Sequence, residues 1–308
     1  MSQASAQQIP NDTQQRRYAL SGLHLASLYR PGEGLPVIAL HGWLDNAASF
    51  VPLLPHLPNM PILVPDLPGH GHSAHLPDSA SYHLADNARW VVALADAMGW
   101  QRFALLGHSM GSGAACITAA AVPQRVAGLV LIDGLGPLAY SPEQAIQRLQ
   151  SLFAKAGQRR PSRALADLDT AVALRQRLGR FAIDTAAATL LCARGTEQRE
   201  DGLHWRHDER LQQPGTHYFS EAQAEAVLRA IRCPAILISA EQGALLGWDG
   251  LARRKACVSG LQHVILPGGH HLHMEHPELV AAEIQHFLDS LVTLGHAGHS
   301  LPADKEGD

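Results

Sequence analysis

Residues 102–121 read RFALLGHSMGSGAACITAAA, and this stretch decides the fold. The short apolar run Phe103–Leu106 leads directly into GHSMG at residues 107–111, and small residues typical of a closely packed helix follow. In a G-x-S-x-G turn between a strand and a helix, the glycines let the backbone approach closely, and the serine hydroxyl is exposed at the carboxyl edge of the sheet. The pattern therefore predicts a nucleophilic Ser109 at the start of a helix over Ser109–Ala121, where free N–H groups favour negative charge.

Short apolar runs recur along the chain and alternate with helical patterns. This alternation is typical of an α/β fold, in which a mostly parallel sheet is flanked by crossover helices. An antiparallel hairpin is predicted near Tyr18–Ser21 and His24–Tyr29, and further helices over Tyr82–Met98 and Pro277–Leu291. The predicted parallel strands are Pro36–Leu40, Pro61–Pro65, Phe103–Leu106, Leu129–Ile132, Ala235–Ser239 and Val264–Leu266.

The strand pattern stops between about Leu135 and Ile231. This part is helical in pattern and rich in Ala, Leu, Gln and Arg, with Gly and Pro as punctuation. We predict that residues 135–231, called the inserted segment below, form a helical cap on an α/β core of residues 16–134 and 232–293. Residues 1–15 and 294–308 lack periodicity and are predicted to be flexible termini.

Composition restricts the classes of function. The 308 residues carry a net charge of −4, which provides no general attraction for nucleic acids or anionic membranes. The four cysteines are scattered without metal-ligand spacing. The first 20 residues contain no apolar core of signal-peptide length, and no later segment approaches 18 uninterrupted apolar residues. We therefore expect a cytoplasmic protein with a small-molecule substrate, no nucleic-acid partner and no membrane span. The sequence does not indicate an oligomeric state.

A histidine placed after the last predicted strand is the candidate general base. A serine hydroxyl becomes a good nucleophile only when a base accepts its proton. In the stretch PGGH at residues 267–270, two glycines allow His270 to reach back across the sheet edge. His271, His273 and His276 crowd the same loop, so a metal site is an alternative, but the spacing is not HExxH and no distant ligands stand out. We predict that His270 is the base and that no metal or cofactor is required.

Two residues are candidates for the acid that orients this histidine. Asp133 ends the strand Leu129–Ile132, which is predicted to lie beside the strand of the nucleophile. Glu241 follows the strand Ala235–Ser239 and comes early in its loop. Asp133 is favoured because its side chain emerges at the same sheet edge as Ser109, and Glu241 stays an alternative.

An oxyanion hole requires two backbone N–H donors aimed at the developing negative charge. The residue after the nucleophile, Met110, is predicted to provide one. The loop after an earlier strand provides the other, and Trp43 follows the strand Pro36–Leu40 at the required place.

Four motifs together resemble the α/β-hydrolase superfamily in order and spacing, and the resemblance covers roughly residues 18–292. They are HGWLDNAASF at residues 41–50, DLPGHGHS at 66–73, GHSMG at 107–111 and PGGHHLHMEHP at 267–277. The first motif and RGTEQREDGLHWRHDERL at 194–211 resemble the serine hydrolase-like proteins, a subgroup presumed to hydrolyse esters. The resemblance implies an α/β-hydrolase fold, the roles given above for Ser109, His270, Trp43 and Met110, and a structural turn at DLPGHGHS.

The chain departs from the superfamily at one position. Most members carry an aspartate a few residues after the strand that follows the cap, whereas this chain has Gly243 there.

From the motifs and the resemblance together, we predict a carboxylesterase-like serine hydrolase that cleaves a carboxylic ester or thioester through an acyl-enzyme on Ser109. The alternatives are a lactone or carbon–carbon bond hydrolase with the same triad, and a non-catalytic ligand-binding protein, for which Gly243 is the only argument.

Overall fold

A mixed, mostly parallel sheet forms the centre of the molecule. The computed structural model describes residues 9–154 and 163–297, and its strands are β1 Gln14–Leu20, β2 Leu23–Arg30, β3 Val37–Leu40, β4 Ile62–Pro65, β5 Phe103–His108, β6 Val126–Ile132, β7 Thr196–Arg199, β8 Gly202–Trp205, β9 Ala235–Gln242 and β10 Gln262–Gly269. Eight strands form the main sheet in the order β1-β2-β4-β3-β5-β6-β9-β10. The β1–β2 and β2–β4 pairs are antiparallel, and the others are parallel. The predicted α/β fold with a mostly parallel sheet is therefore confirmed.

The helices are α1 Asp86–Ala97, α2 Met110–Ala121, α3 Pro142–Ala154, α4 Leu168–Leu178, α5 Thr185–Gly195, α6 Glu221–Arg229, α7 Leu251–Ala256, α8 Leu272–Glu275 and α9 Pro277–Ala297. Three of them, α1, α2 and α9, agree in place with the predicted ones but differ at their ends, and α7 and α8 were not predicted. Both ends of the ordered fold extend beyond the predicted core, since β1 begins at Gln14 and α9 continues to Ala297. The remaining parts of the predicted flexible termini, residues 1–8 and 298–308, lie outside the described residues.

The sheet is buried on both faces, because successive residues of its strands point into two different cores. In β3, Val37 and Ala39 pack in the same core as Phe287 of α9. Ile38 and Leu40 pack in the other core, which contains residues of α1 and α2. Burial on both faces explains why these strands are continuous apolar runs rather than alternating ones.

The described part of the inserted segment, which leaves out residues 155–162, contains four α-helices, α3 to α6, and an antiparallel hairpin that the sequence analysis did not predict. The hairpin joins β7 and β8 through a turn at residues 200 and 201, and Arg199 pairs with Gly202. Gly202 has a φ of 136°, a conformation that residues with a side chain rarely adopt. The expectation of a purely helical insertion is therefore wrong for residues 196–205.

A buried ion pair fastens the inserted segment to the core. The guanidinium of Arg194, in α5, donates to both carboxylate oxygens of Asp66, with Nη2 2.7 Å from Oδ2. Asp66 is the first residue of the DLPGHGHS turn and also accepts the backbone N–H groups of Ala47 and His72. Gly71 is required beside it, because a Cβ there would lie 2.4 Å from the carboxyl carbon of Asp66.

Replacing Arg194 with methionine should lower the free energy of unfolding by about 3 kcal/mol, because Asp66 would remain as a buried charge without its partner. Burial would raise the pKa of Asp66, but Arg194 holds it below its usual value. The ion pair therefore stabilises the protein fully above the unfolded pKa near 4, and this contribution is lost as the pH falls through the lower folded value. Urea unfolding of both proteins at pH 7 and at pH 3 measures this, and a difference that does not shrink at the lower pH would contradict it.

Candidate active site

Ser109 occupies a strained turn between β5 and α2. Its φ is 51° and its ψ is −114°, a backbone conformation that a residue with a Cβ rarely adopts. Both flanking glycines are required by close approach of the backbone. A Cβ at Gly111 would lie 2.0 Å from the carbonyl oxygen of Leu40, and one at Gly107 would lie 2.6 Å from that of Gly111. The half-buried Ser109 thus stands at the carboxyl edge of the sheet, as the motif predicts.

His270 and Asp133 meet at the same edge. His270 directly follows β10, Asp133 directly follows β6, and His270 Nδ1 lies 2.6 Å from Asp133 Oδ2. Both side chains are buried. A ring nitrogen this close to a carboxylate oxygen carries the proton and donates it, so the other ring nitrogen, Nε2, is free to accept one. Asp133 Oδ2 also accepts the backbone N–H of Ala244, at 2.6 Å.

The absence of a side chain at Gly243 has a steric explanation in this arrangement. A Cβ at this position would lie 2.4–2.6 Å from the carboxyl atoms of Asp133. The carboxylate of Asp133 therefore fills the space next to the backbone of Gly243, where the superfamily pattern leads one to expect the acid. Glu241, the alternative acid, is exposed near the end of β9, and the structure brings Asp133 rather than Glu241 to His270.

The two predicted oxyanion donors lie on neighbouring parts of the backbone. Met110 is the first residue of α2, so its N–H has no acceptor within the helix. The loop after β3 carries Trp43, and the close approach of Leu40 to Gly111 brings this loop beside the start of α2. His41 supports the loop by accepting the N–H of Leu67 at Nε2 and donating from Nδ1 to the carbonyl of its neighbour, residue 42.

Two residues next to His270 were not singled out by the sequence analysis. The ring of Phe181, from the loop between α4 and α5, lies over the His270 imidazole with 3.9 Å between ring centroids. His108 donates from Nε2 to the backbone carbonyl of His270, at 2.9 Å. His108 stands beside the nucleophile in the motif and offered a signal, whereas the sequence offered none for Phe181.

A buried carboxylate, Asp45, lies behind these groups. Its oxygens are 2.6 Å from Arg175 Nη2, 3.6 Å from His108 Nδ1 and 3.8 Å from His271 Nε2. Burial alone would raise the pKa of Asp45, but these three side chains hold it well below its usual value. Burial also lowers the pKa of His271 to about 4, so its ring is neutral at pH 7. Of the two adjacent histidines, His271 thus faces Asp45, and His270 faces Asp133.

A recess of about 290 Å³, counted with the space open to solvent, lies between the loop after β3 and the inserted segment. Leu44, Asp45, Arg175, Trp205 and His207 are among its lining residues, and Ser109, His270 and Asp133 are not. Within residues 9–154 and 163–297, no three His, Cys, Asp or Glu side chains are arranged to bind a metal ion. No helix in that part of the chain is long and apolar enough to cross a membrane.

Comparison with known proteins identifies the family. The model of the α/β-hydrolase fold family matches residues 36–277. The chain belongs to the α/β hydrolases. A serine hydrolase-like protein of Dictyostelium discoideum is 30% identical to this α/β hydrolase over 269 residues, which cover 82% of this chain and 74% of that protein. A probable serine hydrolase of Drosophila melanogaster is 30% identical over 274 residues, covering 83% and 81%.

Solved structures with the same fold as this chain agree with these sequence matches. A hypothetical protein of Pseudomonas aeruginosa PAO1 superposes on this α/β hydrolase with a TM-score of 0.83 and 39% identity, covering 91% of this chain and 99% of that one. A thioesterase domain from the curacin biosynthetic pathway has a TM-score of 0.79 at 23% identity, covers 89% and 99% of the two chains, and shares the fold. The predicted membership of the serine hydrolase-like family is confirmed, and the chain is a serine hydrolase of the α/β-hydrolase fold.

Proposed function

We propose that this α/β hydrolase cleaves a carboxylic ester or thioester of a small molecule through an acyl-enzyme on Ser109. The observation that carries the proposal is the 2.6 Å hydrogen bond between His270 Nδ1 and the buried Asp133. It lies at the sheet edge where Ser109 is held in its strained turn. A histidine oriented by a buried carboxylate, at the same sheet edge as a serine held in this turn, is the arrangement that acyl transfer requires.

The reaction proceeds in two halves. Ser109 Oγ attacks the carbonyl carbon while His270 Nε2 accepts its proton, and Asp133 stabilises the resulting imidazolium. The backbone N–H groups of Trp43 and Met110 stabilise the oxyanion. The tetrahedral intermediate collapses, His270 returns the proton to the departing oxygen or sulfur, and an acyl-enzyme remains. Water, deprotonated by His270, then attacks the carbonyl carbon of the acyl-enzyme, and His270 returns the proton to Ser109 Oγ as the acid is released.

The inserted segment acts as a cap that selects the substrate. Because His270 gives its proton to the leaving group, the leaving group must lie beside the imidazole, which is where the ring of Phe181 packs. A ring at this place restricts the alcohol or thiol part of the substrate more than it affects the chemistry.

Replacing Phe181 with alanine should change the preference for the leaving group. The naphthylmethyl and methyl esters of one acid have leaving groups of similar basicity and different size, and the variant should raise kcat/KM for the naphthylmethyl ester relative to the methyl ester by about tenfold. Phe153→Ala, which removes an exposed ring from α3, is the matched control and should leave the ratio unchanged. Equal loss toward both esters would contradict a role in selection.

A labelling experiment and a substrate panel test the proposed function. A fluorophosphonate reacts quickly only with an activated serine, so the adduct should map to Ser109 by mass spectrometry of the digested protein. The panel contains p-nitrophenyl esters of increasing chain length, with thioesters and lactones beside them. Turnover of lactones alone would mean that the protein opens lactone rings and does not cleave linear esters or thioesters. Absence of both adduct and turnover would favour a ligand-binding protein that has lost catalysis.

A further inference from the structure

The side chain of Trp43 connects the loop after β3 to the inserted segment. Its indole Nε1–H donates to the backbone carbonyl of Leu211, at 3.0 Å. Leu211 lies in the short 3-10 helix Glu209–Gln212 of the inserted segment. The indole is 50% exposed, so general packing holds it only in part. This hydrogen bond therefore provides a specific connection between the loop and the inserted segment.

The acceptor of this bond is itself firmly attached to the core. Arg210, the residue before Leu211, donates from Nη1 to the backbone carbonyls of Pro77 and Ala80, at 2.9 and 3.0 Å. It also forms an ion pair with Asp208, and that carboxylate accepts the hydroxyl of Tyr82 at 2.8 Å. The 3-10 helix is thus a fixed point to which Trp43 is tied.

The loop that carries Trp43 needs such restraint. Leu44, the next residue, has a φ of 61°, in the left-handed region that a branched side chain disfavours. Such a conformation persists only where surrounding contacts hold it. Two contacts from the inserted segment do so, the Trp43 indole on Leu211 and Arg175 on the carboxylate of Asp45.

We propose that the Trp43 side chain is a positioning residue for the oxyanion hole. It acts by holding its own backbone N–H in place through the bond to Leu211. This inference rests on the proposed function, because it takes that N–H as an oxyanion donor. Oxyanion donors act only when they lie within hydrogen-bonding distance of the developing charge, so a small rotation of the strained loop removes most of their effect. The hole is consequently complete only while the inserted segment is seated on the core.

Trp43→Phe tests the inference, because it keeps an aromatic ring and removes the indole N–H. Two inhibitors of the same chain length are compared, a trifluoromethyl ketone that forms a tetrahedral adduct with the serine and the corresponding methyl ketone that binds without forming one. We expect trifluoromethyl ketone affinity to fall by about tenfold, the scale of one lost hydrogen bond, and methyl ketone affinity to change by less than about twofold. Trp248→Phe, the same change at another partly exposed tryptophan, should alter neither value.

A second variant tests the connection through the inserted segment. Arg210→Lys should loosen the 3-10 helix and lower trifluoromethyl ketone affinity in the same direction. In that background Trp43→Phe should cost less than it does alone, since both changes act through the same contact. Circular dichroism checks that each variant is folded.

The possible failures are distinguishable. Equal loss of affinity for both ketones in Trp43→Phe would mean that the indole only lines the pocket, and no loss would mean that the bond is incidental. Full additivity of the two substitutions would mean that the inserted segment does not act through Trp43. Each of these results overturns the inference while the wild type still forms its fluorophosphonate adduct on Ser109. Absence of that adduct in the wild type would overturn the proposed function and this inference together.

Discussion

Ser109→Ala is expected to remove ester hydrolysis almost completely, by about 10⁶-fold in kcat, while the protein stays folded. The substitution removes the nucleophile, so neither an acyl-enzyme nor a fluorophosphonate adduct forms. The turn should persist, because its geometry depends on Gly107 and Gly111, and alanine at a φ of 51° is no more strained than serine. The initial rate with the best p-nitrophenyl ester, together with intact-protein mass spectrometry after labelling, measures the effect.

The matched control for this prediction is Ser112→Ala. Ser112 lies in the first turn of the same helix, is buried and donates its hydroxyl to the carbonyl of Gly107, at 2.6 Å. Its loss should reduce the rate by less than about tenfold, the scale of one neutral hydrogen bond. A labelled Ser109→Ala protein, or an inactive Ser112→Ala protein beside an active Ser109→Ala protein, would move the nucleophile to another residue.

Asp133→Asn should lower kcat by about 10³ to 10⁴-fold, the scale of a triad in which the histidine is held in the wrong tautomer. The neutral amide provides no counter-charge for the imidazolium formed during attack, and an amide nitrogen that faces His270 cannot accept its Nδ1–H. Asparagine has the same shape and tolerates the φ of 42° at this position, so the fold should be nearly unchanged. Steady-state kinetics and a thermal melt of the variant measure both expectations.

The space shared by Asp133 and Gly243 allows a rescue experiment. Gly243→Asp alone should be inactive, because its Cβ would collide with the carboxylate of Asp133. In the double variant Asp133→Gly/Gly243→Asp the new carboxylate has room to reach His270, and activity should recover above that of Asp133→Asn. Glu241→Gln serves as the control and should cost less than about tenfold, since one exposed carboxylate contributes little. A dead Glu241→Gln enzyme beside a normal Asp133→Asn enzyme would transfer the role to Glu241.

Sequence patterns were sufficient to predict the parts of the fold that depend on residues close together in the chain. The strand before Ser109, the glycines around it and the small residues of α2 are consecutive in the chain, so their turn was predictable from the sequence. The hairpin at residues 196–205 was missed, because polar and charged residues occupy its strands. Its Asp201-Gly202 step, a pair common in tight turns, was the available signal.

Contacts between distant parts of the chain were much harder to predict. Asp133 was preferred over Glu241 on strand order, but the overlap with Gly243 depends on how β6 and β9 pair, which no sequence pattern reveals. Phe181 reaches His270 from a loop whose path is set by the packing of α4 and α5. The same limit applies to Trp43, because its partner Leu211 lies 168 residues along the chain.

The pairing of Gly243 with Asp133 has a consequence for how relatives are recognised. A signature that demands an aspartate after the strand following the cap would classify this chain as a degenerate homologue. The carboxylate nevertheless reaches the histidine from the neighbouring strand, at the same point in space. Homologues that carry an aspartate at either of the two positions should accordingly be grouped together as proteins whose histidine has a carboxylate partner, and only those with an aspartate at neither position should be regarded as lacking it.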